Sequence, residues 1–252
     1  TEMMRTLALL MLAGMASAKL KPITSYFDVC SRNQNKEMLS ECVKNSIEKA
    51  KIQLIKGIPD LKLLPIDPLS IDKMEMKENS GRFKFDQTLT DLKIYGLSNA
   101  VIKDFSMDLD NLSFKITSFT PHIQMEASYV MDGQVMVVPI KGSGHASYNF
   151  TDVTSEDSVT FKKVKRNGKT YLTVHSYKLR IEPKGAHSYF SNLFNGDKRL
   201  GDATNNFLNE NWYEAFNSFR SLPEKAFGDF FRNQLEQVCK LYTFDEIFPE
   251  KI

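Results

Sequence analysis

The stretch GDATNNFLNENWYEAFNSFRSLPEKAFGDFFRNQLEQVCKLY, residues 201–242, decides how the rest of the chain is read. Advanced at the helical period, Leu208, Trp212, Phe216, Phe219, Leu222, Ala226 and Phe230 fall within about 120° of arc, the width of a core-facing stripe on one long amphipathic helix. Phe207, Tyr213, Phe227 and Phe231 widen that stripe beyond what one neighbouring helix covers, so a curved sheet is expected to wrap around it. Pro223 removes a ladder hydrogen bond and crowds the preceding turn, which predicts a kink or a break there.

The sheet is found upstream. Residues 101–109 alternate cleanly, with Val101, Lys103, Phe105, Met107 and Leu109 on one face. After Asp110 the phase shifts to Leu112, Phe114 and Ile116, which predicts a bend or bulge. Ile123, Met125, Ala127, Tyr129 and Met131 form a further strand face, and Asp132-Gly133 then signals a tight hairpin turn. Its partner runs from Val135 to Ile140 and continues through Gly142, Gly144, Ala146, Tyr148 and Phe150, where glycines inside a strand pattern mark tight bending. Asn167-Gly168 predicts a second hairpin, between residues 159–165 and 169–182. Before the strands, residues 38–56 read as a helix with Leu39, Val43, Ile47, Ala50 and Leu54 on one face, stopped by Gly57. A connector with Pro59, Pro65 and Pro68 follows, stiff and non-helical. Consecutive antiparallel strands followed by a broad-faced helix make an α+β protein. The 11 Met and 18 Phe are many for one core, and methionine adapts to irregular space, which suits either a loose core or a ligand tunnel.

Composition narrows the function. With 252 residues and 42% hydrophobic content the chain can bury a substantial core. The net charge of +2 is spread along the chain and leaves no basic stripe for nucleic acid. Arg5, the apolar run Leu7 to Met15 and the small-x-small site Ala16-Ser17-Ala18 read as a signal peptide over 1–18, followed by a single domain over 19–252. That run is too short for a membrane anchor, so a secreted, extracellular protein is expected. In that compartment Cys30 and Cys42 are close enough in sequence for a short-loop disulfide, and Cys239 is left over, read as a buried free thiol beside the alternatives of an intermolecular link or a reactive nucleophile. Asn111-Leu112-Ser113 and Asn149-Phe150-Thr151 are glycosylation sequons on the polar phase of their strands, beside the alternative of unmodified strand asparagines.

Catalysis finds no support. His122, His145, His175 and His187 are scattered without metal-ligand spacing, and Gly142-Ser143-Gly144-His145 lacks the GxSxG spacing of a hydrolase. No metal and no cofactor are expected.

Several motifs, taken together and in order, carry a resemblance. GIPDLKLLPIDPLSI (57–71), Tyr129 with Asp132-Gly133, VVPIKGSG (137–144), SNLFNGD (191–197), FLNENW (207–212) and Phe248-Pro249 resemble the insect takeout and juvenile-hormone-binding protein family over essentially the whole chain from Tyr26 to Pro249. The resemblance implies a long C-terminal helix wrapped by a strongly curved antiparallel sheet that encloses an apolar tunnel. It also implies secretion and non-covalent carriage of a lipophilic small molecule, a terpenoid hormone or a long-chain lipid. Hormone carriers proper have a second disulfide in the C-terminal half; the lone Cys239 sets this chain nearer the takeout branch.

A carrier needs apolar area shielded from water. At about 0.8 kcal/mol per methylene, a dozen carbons supply roughly 9 kcal/mol before the cost of immobilisation. Candidate ligand contacts are Phe105, Met125, Phe150 and Phe161 on the strands, Tyr148 as a hydroxyl donor, and Trp212 and Phe216 on the helix, each with plain core packing as the alternative. A monomer is expected. Two other function classes fit the same pattern: a lipid-transfer module in transient contact with membrane surfaces, resembling lipopolysaccharide-binding proteins, and a secreted protein-binding signal with a vestigial tunnel.

Overall fold

The computed structural model describes residues 20–78, 85–135 and 138–251. The signal peptide expected over 1–18 lies outside them.

Helix α1 (Lys36–Lys56) opens on the Asn35 side chain, which accepts from the Met38 N–H at 2.8 Å, and closes at Gly57 with φ 78°. The connector then leads through a short 3-10 turn, Pro59–Leu61, into seven strands: β1 (Leu69–Glu78), β2 (Phe85–Tyr95), β3 (Val101–Asp108), β4 (Ser113–Val135), β5 (Val138–Arg166), β6 (Lys169–Glu182) and β7 (Gly185–Phe190). All pair antiparallel in one sheet.

Two very long strands form the spine. The first half of β4 pairs with β3 and its second half with β2. The first half of β5 pairs with β7 and its second half with β6. The changeover falls where Thr120 faces Val153 and His122 faces Thr151. Between those pairs stand Pro121, which has no N–H to donate, and Asp152, whose φ is 48°. The sheet therefore divides into two halves at one fold line while the β4–β5 register continues across it.

Two turns differ from the sequence expectation. The phase shift after Asp110 is a full hairpin, with a turn over residues 109–112. The Asp108 carboxylate closes it by accepting from the backbone N–H of Asn111 at 2.9 Å and from its Nδ2 at 3.1 Å. The expected turn at Asp132-Gly133 is paired strand instead: Asp132 faces Lys141, with an ion pair at 3.0 Å, and Gly133 faces Ile140. Cross-strand pairing continues to Val135, which faces Val138, and residues 136–137 lie outside the described segments. The Asn167-Gly168 turn is as read, with φ of 50° and 76°.

Gly142 and Gly144 have a different physical reason from bending. A Cβ at Gly142 would stand 2.8 Å from Tyr129 Oη, and one at Gly144 would stand 2.6 Å from Ser191 Oγ. The segment after β7 lies directly on β5 there.

The C-terminal stripe forms α2 (Lys198–Glu210), α3 (Trp212–Phe219) and α4 (Ser221–Leu241), followed by the short α5 (Phe244–Ile247). Pro223 sits in the first turn of α4, where its missing N–H would be unpaired anyway, and its ring crowds the carbonyl of Phe219, the last residue of α3. The second break, at Asn211, has a tertiary cause. Asn205 exchanges two hydrogen bonds of 2.9 Å with the backbone of Phe190, and Asn209 exchanges two of 2.8 Å with that of Ser188. Carboxamides one helical turn apart thus occupy the free edge of β7 as a neighbouring strand would. Helix α4 covers the edge of β6 similarly: Glu224 accepts from the Ile181 N–H at 2.9 Å and Glu236 from the Val174 N–H at 2.7 Å. Each helix follows its own strand edge, and Asn211 is where the path changes.

Two clusters form the interior of the sheet, and β6 contributes to both, Leu179 and Ile181 to the first and Leu172 and Val174 to the second. One cluster joins β1, β2, β7 and the inner halves of β4 and β5 to α2, α3 and α4. The other joins β3 and β6 to α1, α5 and both disulfide cysteines.

Candidate functional site: an apolar cavity between sheet and helices

A cavity of about 370 Å³, within the usual range for small-molecule sites of about 300–1,000 Å³, occupies the first half of the sheet and reaches past the fold line to Ser118, Ser155, Asp157, Tyr177 and Leu179. Strands supply Met74, Met76, Met125 and Met131 from one side, and the helices supply Trp212, Phe216, Phe219, Phe227 and Phe231 from the other. Strand alternation sets the first group inward and the helical stripe sets the second. The wall is mostly apolar; besides Thr120, His187 and Ser188, it carries two hydrogen-bonded polar groups of side chains.

The first is a closed pair: Gln87, buried, donates from Nε2 to Tyr148 Oη at 2.9 Å. Burial raises the Tyr148 hydroxyl well above its usual range, so it is a neutral phenol. The second lies past the fold line, on β4, β5 and β6. Tyr177 Oη donates to Asp157 Oδ1 at 2.7 Å, and the hydroxyls of Ser118 and Ser155 meet at 2.7 Å. Burial pushes the Asp157 carboxyl up to about 6, against the opposing pull of the Tyr177 bond. Burial, and then the Asp157 charge, raise the Tyr177 hydroxyl.

Of the residues expected to contact a ligand, Met125, Tyr148, Phe150, Trp212 and Phe216 stand on the cavity wall. Phe105 and Phe161 do not. They point inward as expected, but beyond the fold line, where their rings lie 5.8 and 5.9 Å from Phe114 in the filled cluster. Reading the sequence missed Asp157, Tyr177, Ser118 and Ser155. Their signal was present: Val153, Ser155, Asp157, Val159 and Phe161 share one strand phase, so a serine and an aspartate occupy inward positions among apolar residues.

Cys30 and Cys42 form the disulfide that ties the N-terminal arm to α1. Cys239 is a buried free thiol, and burial pushes it up to about 12, far from the thiolate that reactivity requires. Asn111 lies exposed in the β3–β4 turn rather than on a strand, whereas Asn149 is half-buried in β5 between Gln124 and His187. Among the described residues no three His, Cys, Asp or Glu side chains are grouped to hold a metal ion, and no helix is long and apolar enough to cross a membrane.

Residues 7–249 match the family described as Haemolymph juvenile hormone binding protein (JHBP). The chain is 30% identical over 203 residues to the circadian clock-controlled protein daywake of Drosophila melanogaster, covering 77% of this chain and 78% of that one. It is 25% identical over 209 residues to a putative beta-carotene-binding protein of Schistocerca gregaria, covering 82% of each. Among solved structures, Takeout 1 of Epiphyas postvittana superposes with a TM-score of 0.72 at 23% identity, over 87% of this chain and 98% of that one, which establishes the shared fold. The relationship is to binding proteins and not to enzymes. The chain belongs to the insect takeout and haemolymph juvenile hormone binding protein family.

Proposed function

We propose that this protein is a secreted carrier that holds one lipophilic small molecule, a terpenoid or a long-chain lipid, non-covalently in the cavity. The observation that carries the reading is the wall itself: methionines and aromatic rings from sheet and helices enclose space, while the far end of the same sheet, around Phe105 and Phe161, is a filled cluster. Affinity comes from apolar area removed from water, and methionine lets the wall adjust to an irregular chain. The carotene-binding relative supports the ligand class. The Cys30–Cys42 disulfide supports an oxidising compartment, as does the leader read over 1–18. Met125, Tyr148, Phe150, Trp212 and Phe216 are the proposed contacts, and Asn111, exposed in its turn, is the better placed glycosylation position.

Organic-solvent extraction of the purified protein, followed by mass spectrometry, tests this. A stoichiometric lipophilic molecule is the expected result. An empty extract, repeated after incubation with terpenoid and acyl-chain panels, would overturn it in favour of a protein-binding role.

A further inference from the structure

Asp157 is the only carboxylate among the described residues of the cavity wall, and neither lysine nor arginine accompanies it there. It stands on β5, in register with Ile116 of β4 and Leu179 of β6, and one strand step beyond it Val159 belongs to the filled cluster. It therefore marks the floor where the cavity, having passed the fold line, ends against the filled cluster. One carboxylate oxygen takes the Tyr177 hydroxyl at 2.7 Å; Oδ2 has no protein donor among the described residues. Ser155 precedes Asp157 by two residues on the same face, and Ser118 lies across from Ser155. In their shared hydrogen bond one hydroxyl gives its proton to the other, whose own proton stays free to donate.

A carboxylate in apolar surroundings is costly unless its hydrogen-bonding capacity is met, and packing alone does not call for one here. We propose that this floor is a headgroup subsite for a lipophilic alcohol: the ligand's O–H donates to Asp157 Oδ2 and its oxygen accepts from the serine pair, while its chain runs along the methionine and aromatic walls. The inference rests on the carrier reading and specifies its ligand class. A carboxyl titrating at about 6 is largely ionised at neutral pH. A fatty acid would set a second negative charge against it, and an ester brings no donor. An alcohol alone among the three satisfies both the acceptor and the donor of the floor.

The test is displacement of N-phenyl-naphthylamine from the whole chain at neutral pH by tetradecanol, methyl tetradecanoate and tetradecanoate. A hydrogen bond to a charged acceptor makes the alcohol at least about tenfold tighter than the ester, and the carboxylate weakest. Asp157→Asn, nearly identical in shape, brings the alcohol and the ester within about threefold of one another, because the bonds left to them are between neutral groups, and it removes the charge that opposes the carboxylate. An ester or acid that binds the wild type as tightly as the alcohol would overturn the subsite, and so would an alcohol preference unchanged in the variant. Should the variant fail to bind the probe, the wild-type series decides alone. If the wild type binds neither probe nor any chain, the carrier reading falls and the subsite with it; if it binds the probe without distinguishing the headgroups, only the subsite falls.

Discussion

The halves of the sheet on either side of the fold line are built from the same kinds of residue and differ in what their inward faces meet. Beyond the line and past the cavity floor at Asp157, Phe105, Phe114 and Phe161 meet one another, α1 and the disulfide, and the space is filled. On the near side, Met125, Phe150 and their neighbours meet helices held off by the strand edges they cover, and space remains. The edge bonds of Asn205, Asn209, Glu224 and Glu236 fix how closely α2 and α4 approach, so those helices cannot simply collapse inward. Hollowness here follows from where the helices are anchored. The filled half is accordingly assigned stability and the hollow half binding.

The sharpest contrast pairs two phenylalanines of similar exposure, 8% for Phe161 and 6% for Phe216. Phe161→Ala opens a void in a packed cluster and is expected to lower unfolding free energy by about 4 kcal/mol, whereas Phe216→Ala enlarges space that already exists and is expected to cost about half as much. Urea denaturation of both variants measures the difference; equal losses would mean that the halves are packed alike. Next in size, Cys30→Ser with Cys42→Ser releases a short loop in the filled half and is expected to cost up to about 3 kcal/mol while leaving probe affinity unchanged. Melting under identical conditions, with a probe titration alongside, checks both parts.

A smaller effect, of opposite sign, belongs to the cavity floor. Burial raises the folded Asp157 carboxyl from 3.8 to about 6, so the folded state binds its proton more readily than the unfolded one. Its contribution is present below the unfolded value and is lost as pH rises through about 6. At roughly 1.4 kcal/mol per pKa unit, Asp157→Asn is expected to stabilise the ligand-free protein at neutral pH by about 2–3 kcal/mol, as an upper bound, and to change little in acid below the unfolded value. Stability measured against pH for both proteins would show the two curves converging toward low pH; parallel curves would contradict the assignment.

Much of the architecture was legible because periodicity is local. The alternation through Met125 and Tyr129 and the stripe through Trp212 and Phe216 each place side chains on a face without reference to anything distant. The Asp132-Gly133 turn was misplaced because pairing with Lys141 and Ile140, remote in no local pattern, outweighed a two-residue preference. Phe105 and Phe161 were assigned to the ligand site because alternation says inward and cannot say into which interior; that depends on the fold line at Pro121 and Asp152. The break at Asn211 was hidden for a similar reason, since Asn205 and Asn209 read as ordinary polar helix positions until β7 lies beside them. Asp157 left a trace, a charge in an apolar phase, whose meaning appears only once three strands bring Ser118, Ser155 and Tyr177 around it.

The claim that binding resides in the hollow half is tested most directly by filling it. Ala215, buried on α3, lines the cavity, and its replacement by phenylalanine puts a ring into that space. Titration of N-phenyl-naphthylamine into the wild type and Ala215→Phe is expected to give one saturable site in the wild type. In the variant, at unchanged melting temperature, affinity should fall by at least about tenfold, a loss of roughly 1.4 kcal/mol. Equal affinity in the two proteins would place the ligand elsewhere and contradict the account.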